Sequence, residues 1–410
     1  VANINEVADQ ITHEALRILH QKLNFCSNIV TGYDDSYGVE GAKIGSDLRI
    51  RLPHQYNTGT GPTIDTGTAA DSVGTHTTLQ VTSQRHVPLR FTSVEDTLDI
   101  DDYSRRHIQP AMSKLAAKVE FDVLGQALKY CNESVLAATP ATVIFRDAME
   151  CRRKLVDNLA PEDERTALMD TKGNLDLIDA NKNLFHDSSN IEMQYKKGYM
   201  GEFGSFNFFE NTLIPKHSNG TEAGTAYLTN DVTAQEKTLS VSDTNPNEGT
   251  LIVDTGTLAI TAGSVFTIAD VFDVHHETKA TTGVLKQFVA RSALTGAGTL
   301  SISPAIIASG PYQNVTAAAA NNKALTFLGA ASTTYNQSIL FQKGFAAFAT
   351  ADLVLPRGTD MASRKVFDGL SLRLVRDFDV KTDKLITRID ILYGFKVLRP
   401  ELCARLWHTG

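Results

Sequence analysis

With 410 residues, the chain is long enough to bury a sizeable core and to hold two or more domains. Its 42% hydrophobic and 21% charged content is that of an ordinary globular protein. A net charge of −8 excludes a chain that grips nucleic acid through overall basic charge, although local patches can still line a DNA-filled space. The four cysteines, Cys26, Cys131, Cys151 and Cys403, show no metal or redox spacing and suggest no disulfide framework, which points to a reduced, cytosolic origin. No basic segment followed by an apolar run opens the sequence, and no apolar stretch approaches the roughly 18 to 20 residues of a membrane helix. The absence of an initiator Met suggests trimming or a chain that begins late.

In chain order, residues 4–25 read as an amphipathic helix. Ile4, Val7, Ile11, Ala15, Ile18 and Leu19 recur near helical spacing, with Asp9, Gln10, Glu14 and Arg17 on the other face. A terminal arm that docks on a partner and a plainly packed helix are both open readings. Residues 38–92 then carry two strand-like arms around a Thr/Gly loop. Asp47-Leu48-Arg49-Ile50-Arg51-Leu52 alternates as a half-buried strand does, and a return run follows at Leu79, Val81, Val87, Leu89 and Phe91. The loop from Asn57 to Thr63, with Gly67, Thr68 and Gly74, has almost nothing apolar to bury, so it should project or move, and it makes sense lying on a neighbouring copy.

A long helix is expected from Asp101 or Asp102, either of which can cap it, to about Cys131. Ile108, Met112, Leu115, Val119 and Val123 form its apolar stripe, and Pro110 predicts a kink or restart. Its Arg105, Arg106, Lys114 and Lys118 read either as contacts for neighbours or as a solvated face. A second helix is expected over 140–160, with Thr139 as cap and Ile144, Ala148, Leu155 and Leu159 inward. A strand at Thr166–Met169 follows, and Gly198–Phe203 leads to Phe206, Phe208 and a turn at Asn211–Pro215.

Composition shifts at about residue 218. From Ser218 to Ser332, Thr, Gly, Ala and Ser dominate, and apolar runs such as Leu251-Ile252-Val253, Val265–Ile268 and Leu300-Ser301-Ile302 alternate with Gly-rich turns. That spacing reads as a small all-β domain. Mixed character returns with Ile339, Phe341, Phe345 and Phe348, and a last strand spans Leu385–Gly394, so the β segment reads as inserted into a host.

Enzymatic constellations are poor. His13-Glu14 with His20 lacks the spacing of a zinc protease, and His275-His276-Glu277 would point to opposite faces of an extended strand. Gly59-x-Gly61 and Gly296-x-Gly298 lack the third glycine of a dinucleotide loop and read as turns. No nucleophile elbow or Walker loop occurs. No catalytic, cofactor-binding or metal-ligating residue is assigned, and no cofactor is expected.

The order of these elements resembles the major capsid proteins of tailed double-stranded DNA phages, an α+β architecture with the Hong Kong 97-type fold. Tyr103–Gln109 followed by Lys114-Leu115-Ala116 and Val119-Glu120 looks like the start of their spine helix. Gly201–Phe206 with Glu210-Asn211 and Ile214-Pro215 resembles a recurring strand and turn, and Arg388-Ile389-Asp390 with Tyr393-Gly394 and Arg399-Pro400-Glu401 their C-terminal strand. The β insertion after Ile214-Pro215 resembles that of the coat protein of Salmonella phage P-twenty-two. The resemblance implies an N-terminal arm over 1–37, an extended loop over 38–92, a spine helix and peripheral domain over 93–160, and a first part of the axial domain over 161–217. The inserted domain then spans 218–332 and the closing axial and peripheral part 333–410.

It also implies a shell subunit forming pentamers and hexamers around a double-stranded DNA genome. Its partners would be itself, a scaffolding protein and a portal, with room for a decoration protein; packaged DNA would be held non-specifically and no membrane is involved. The place would be the virion capsid, assembled in the host cytoplasm. Either a separate scaffolding protein or a removed leader would serve assembly. Arg49, Arg51, Arg85 and Arg90 on the strands, and Arg105 and Arg106 on the helix, are the candidate intersubunit contacts. As exposed pairs each is worth about 0–1 kcal/mol, so the arm should work by area and register. An encapsulin-type nanocompartment shell, or a β-rich carbohydrate-binding or adhesin protein, are the alternatives.

Overall fold

The computed structural model describes residues 11–19, 23–31, 47–56, 61–62, 75–92, 107–139, 141–181, 202–221, 228–229, 235–239, 243, 245–255, 259–356, 358–367, 370–381 and 384–409. The chain divides into two compact units, one of residues 1–48, 79–124 and 346–396, the other of residues 49–78, 125–345 and 397–410.

The first unit is organised by the 14-residue strand Lys384–Val397. On one side it pairs with Leu370–Asp379, which in turn pairs with Met361–Phe367. Ser83–Thr92 pairs antiparallel along the same strand, Val87 opposite Ile389. Ala346–Thr350 borders it too and takes Val30–Thr31 in parallel. The return run at 83–92 is therefore not part of a projecting arm, as the alternation had suggested. Alternation reports one buried face, and here that face belongs to this sheet. Asp390, fully buried, is held by Arg373 Nη2 at 2.7 Å and Arg388 Nε at 2.6 Å, so the Arg388-Ile389-Asp390 motif is an internal cross-strand clamp.

Glycine at 394 answers to a close approach. A Cβ there would overlap the Gln80 carbonyl and come 3.0 Å from Leu79 Cδ2.

The helix Gln109–Ala127 buries the expected stripe: Ile108, Met112, Leu115, Val119 and Val123 are all 2% exposed or less. The kink or restart expected at Pro110 coincides with a change of helix type: His107 and Ile108 are π-helical, and the α-helix begins at Gln109. The caps proposed at Asp101 and Asp102 lie outside the described residues, and the helix stops at Ala127, four residues short of Cys131. Buried Glu120 accepts from the backbone N–H groups of Asn24 and Phe25 at 3.1 and 2.7 Å. That bond fastens the N-terminal segment, whose helical residues 11–19 bury Ala15, Leu16, Ile18 and Leu19.

The second unit holds a seven-stranded sheet in the order Glu133–Leu136, Cys403–His408, Thr334–Gln342, Arg165–Met169, Phe206–Glu210 and Glu202–Phe203, with His217–Ser218 beside Thr334 and Tyr335. The Phe203-Gly204-Ser205-Phe206 corner is a two-residue hairpin with φ of +57° and +63° at its centre, the left-handed pair that such a turn requires. The second helix is Phe145–Asp157, shorter than expected, and Thr139 does not cap it. Asp147 does the capping from inside: its carboxylate accepts from Ile144 N at 3.1 Å and Ala138 N at 3.2 Å. The buried stripe is Ala148, Cys151 and Leu155, while Ile144 and Leu159 are exposed.

Residues 228–327 supply a six-stranded sheet in the order Leu228–Thr229, Gly249–Thr255, Gly298–Ser303, Thr281–Ala290, Val265–Val274 and Leu325–Phe327. Leu251, Val253, Phe266, Ile268, Phe288, Leu300 and Ile302 form its core, as the apolar runs predict. The chain enters and leaves this β insert at adjacent points, because Ser218 pairs with Thr334.

Cys131 and Cys403 are joined by a disulfide, with Cα atoms 5.6 Å apart, against the expectation of reduced cysteines. Their separation of 272 residues hides the pairing from any spacing rule; the parallel register of Ala404 with Glu133 brings them together.

Gly394→Ala is expected to lower the stability of the chain by about 1–3 kcal/mol through overpacking. Urea unfolding of the purified chain checks this; an unchanged midpoint would show that Gln80 can move aside.

Candidate assembly surface

Asp47–Arg51 and His76–Gln80 form a two-stranded sheet, continued by a bond from Leu52 N to Thr75 O at 3.0 Å. Ile50 and Leu79 are buried, which turns Arg49 and Arg51 outward together, as period-two geometry dictates. Both are exposed, and among the described residues neither has an acidic partner. Arg90 is exposed on the sheet strand Ser83–Thr92 and is likewise unpaired among the described residues.

Arg85 is spent inside the chain. Its Nε and Nη2 reach Asp122 Oδ2 at 2.9 and 2.6 Å, Lys118 Nζ meets Oδ1 at 3.2 Å, and Tyr393 Oη donates to Oδ2 at 3.2 Å. Burial alone would raise the Asp122 carboxyl; the hydrogen bonds of Arg85 and Lys118 outweigh it and hold the group below its usual range. Arg105 and Arg106 lie outside the described residues.

Inside the second unit, the β insert meets the larger sheet along a polar seam that sequence reading missed. Glu133, 6% exposed, binds Lys154 Nζ at 2.8 Å and lies 3.8 Å from Lys286 Nζ, which binds Asp273 at 2.9 Å. Burial pushes the Glu133 carboxyl up, but Lys154 and Lys286 overcome it and the net shift is down. For Lys286, burial lowers and Asp273 and Glu133 raise, with the net shift up, so both stay charged. The Gln287 carboxamide accepts from Ser134 N at 2.9 Å and donates to Ser134 O at 3.2 Å, standing in for a neighbouring strand.

Further along, buried Arg405 donates to Gly263 O and Gln337 Oε1, each at 3.2 Å, with its guanidinium 5.2 Å from the Trp407 ring centroid. Trp407 packs with Val265, Val289 and Tyr335, and the His217 ring lies 5.0 Å from it. Burial and then the Arg405 charge press the His217 pKa down to about 4. The available signal was a lone charge within an apolar run: Lys286 before Phe288-Val289-Ala290, and Arg405 between Ala404 and Leu406.

Among the described residues no cluster of three or more His, Cys, Asp or Glu side chains is placed to hold a metal ion, and no helix is long and apolar enough to cross a membrane. His275-His276-Glu277 forms a hairpin turn instead of an extended strand, with His275 Nδ1 accepting from Glu277 N and Thr278 N at 3.3 Å.

The family model described as P22 coat protein, gene protein 5, matches residues 38–405. The chain belongs to the P22 coat protein family. It is therefore a major capsid protein of α+β class with the Hong Kong 97-type fold, and its place is the virion capsid. Among solved structures it is similar to one from Mycobacterium phage Che8, at 9% identity and TM-score 0.44 over 94% of this chain and 90% of that one. It is also similar to the mature capsid of bacteriophage PhiM1, at 11% identity and TM-score 0.42 over 89% and 82%. The CUS-3 coat protein I-domain is 33% identical over 25% of this chain and 94% of its own, with a TM-score of 0.19. No protein with a curated description matches the sequence. The coat protein's fold and class rest on the family match.

Removing one member of the coat protein's buried ionic seam leaves the others uncompensated. Lys286→Met should cost about 3–5 kcal/mol in urea unfolding; a loss below about 1 kcal/mol would mean that solvent screens the seam. The His217 imidazole, pressed in the folded chain from its ordinary value of 6.5 to about 4, contributes stability that is complete above pH 6.5 and disappears as pH falls towards 4. About 3 kcal/mol should be lost across that window. His217→Gln should flatten the acid limb of stability against pH, and an unaltered limb would show that other groups govern it.

Proposed function

We propose that copies of this coat protein close into an icosahedral shell of pentamers and hexamers around a double-stranded DNA genome. A precursor forms in the host cytoplasm with a scaffolding protein and a portal and expands later. The family match carries this reading, because it spans the arm, the long helix and the β insert alike. The role is structural, with no catalysis. A net charge of −8 fits weak contact with packaged DNA, without sequence preference.

Shell closure needs many modest contacts, each standard interface burying on the order of 1,600 Å² in total. Repeated over a subunit's neighbours, such contacts make assembly steep in concentration. Arg49, Arg51 and Arg90 are available for this, since nothing described in their own chain pairs with them. Arg85 contributes by fixing the strand Ser83–Thr92 against Asp122. The short pairing of Asp47–Arg51 with His76–Gln80 fixes Arg49 and Arg51 on one outward face.

Electron microscopy of the purified chain, alone and with a scaffolding protein, tests the reading. Closed particles support it, and uniform monomers under both conditions would refute it. Replacing residues 57–74 with a two-residue turn should leave a folded monomer, by circular dichroism and sedimentation, that forms no closed particles. Normal shells from that variant would remove the arm from assembly.

A further inference from the structure

Within the second unit a cleft of about 590 Å³ opens between Leu52–Tyr56, the β insert and the segment Leu398–Glu401. Three features of its wall are unusual together. Lys279 stands in the left-handed region, at φ +57°, and among the described residues its half-buried Nζ reaches only the oxygens of Gln55 and Gln313, at 3.3 and 3.2 Å. No described carboxylate pairs with it, and burial presses its ammonium down unopposed.

Asn132 is 2% exposed, and its Nδ2 is committed to Glu133 Oε1 at 3.0 Å and Gln287 O at 3.2 Å. That orientation leaves Oδ1 buried with no donor among the described residues, an unfavourable state unless something fills it. Leu159 is a third: a left-handed residue at φ +57° with a side chain 43% exposed, in a wall shared with Tyr56 at 72% exposed. Both left-handed residues close a turn, Leu159 the end of the helix Phe145–Asp157 and Lys279 the hairpin between His275 and Ala280, and both line the cleft. The strand Asp47–Arg51 runs directly into this wall and carries the two exposed cations Arg49 and Arg51.

We propose that this cleft receives an acidic segment from a second copy of the chain, a carboxylate meeting Lys279, an N–H meeting Asn132 Oδ1, and apolar atoms covering Leu159 and Tyr56. Arg51 and Arg49 then extend the same basic strip along the arm. The occupant is a second copy because the chain is acid-rich, with 47 Asp and Glu against 39 Lys and Arg, and because neighbouring copies are what a coat protein meets. Acidic turns exist on its surface: Pro161-Glu162-Asp163-Glu164 is exposed throughout. A small anion would satisfy Lys279 but bring nothing to cover Leu159 and Tyr56. The inference rests on the shell reading.

The test is zero-length carbodiimide cross-linking, which joins an amine to a carboxylate in contact, on shells assembled from equal parts of ¹⁵N-labelled and unlabelled chain. Mass spectrometry should find Lys279 joined to an Asp or Glu peptide, with mixed-label pairs as frequent as same-label pairs. Well-formed shells in which Lys279 is unlinked, or linked only within its own chain, would overturn the inference and leave the shell reading standing. Failure of the wild-type chain to form shells at all would bring down both. Lys279→Glu should lower shell yield by about tenfold with the monomer's urea midpoint unchanged, because the lost contact is repeated in every subunit. Reversing the cross-linked acid to Lys in that variant should restore the yield; no restoration would exclude the pairing.

Discussion

Glu133 sits out of water between two ammonium groups, Lys154 from the helix Phe145–Asp157 and Lys286 from the β insert. The two cations keep this carboxylate charged out of water, and Lys286 is held in turn by Asp273 as well as by Glu133. The arrangement therefore fixes three separately encoded pieces in one relative register: an edge strand, a helix and an inserted sheet. Apolar contacts such as those of Val265, Val289 and Trp407 supply adhesion at the same seam, but apolar surfaces slide more readily than paired charges.

The seam also settles which edge of the larger sheet is open. Glu133–Leu136 is an end strand, and an end strand invites pairing with any passing chain. The Gln287 carboxamide satisfies both backbone groups of Ser134 and so closes that edge at its middle. A coat protein must meet its own copies at chosen places and nowhere else. Blocking one edge from within the subunit removes one place at which copies could pair by backbone hydrogen bonds.

Much of this was legible in the sequence wherever burial is periodic. The stripe from Ile108 to Val123, the strand Thr166–Met169 and the apolar runs of the insert all fell where alternation or helical spacing placed them. The element order was enough to indicate the family. Periodicity names a buried face but not what covers it, and so Val87 and Leu89 were read as arm although they pair with Ile389 and Thr387. Local chemistry misled at Thr139 and Pro140, because Asp147 caps its helix from within the first turn. On the surface, Arg49, Arg51, Arg85 and Arg90 looked alike as strand cations. Only the fold shows that Arg85 is already committed to Asp122. The contacts of Lys286 with Glu133 and of Arg405 with Gly263, and the Cys131–Cys403 bond, each join positions more than a hundred apart in sequence.

That last bond makes a closed covalent ring of everything between residues 131 and 403, with the β insert wholly inside it. A subunit nicked once anywhere in the ring is not divided: the severed ends remain tied through sulfur. Protease damage to a turn of the insert would thus add one water to the chain but release no fragment until the disulfide is reduced. The insert can then be exposed on a particle without a single cleavage detaching it.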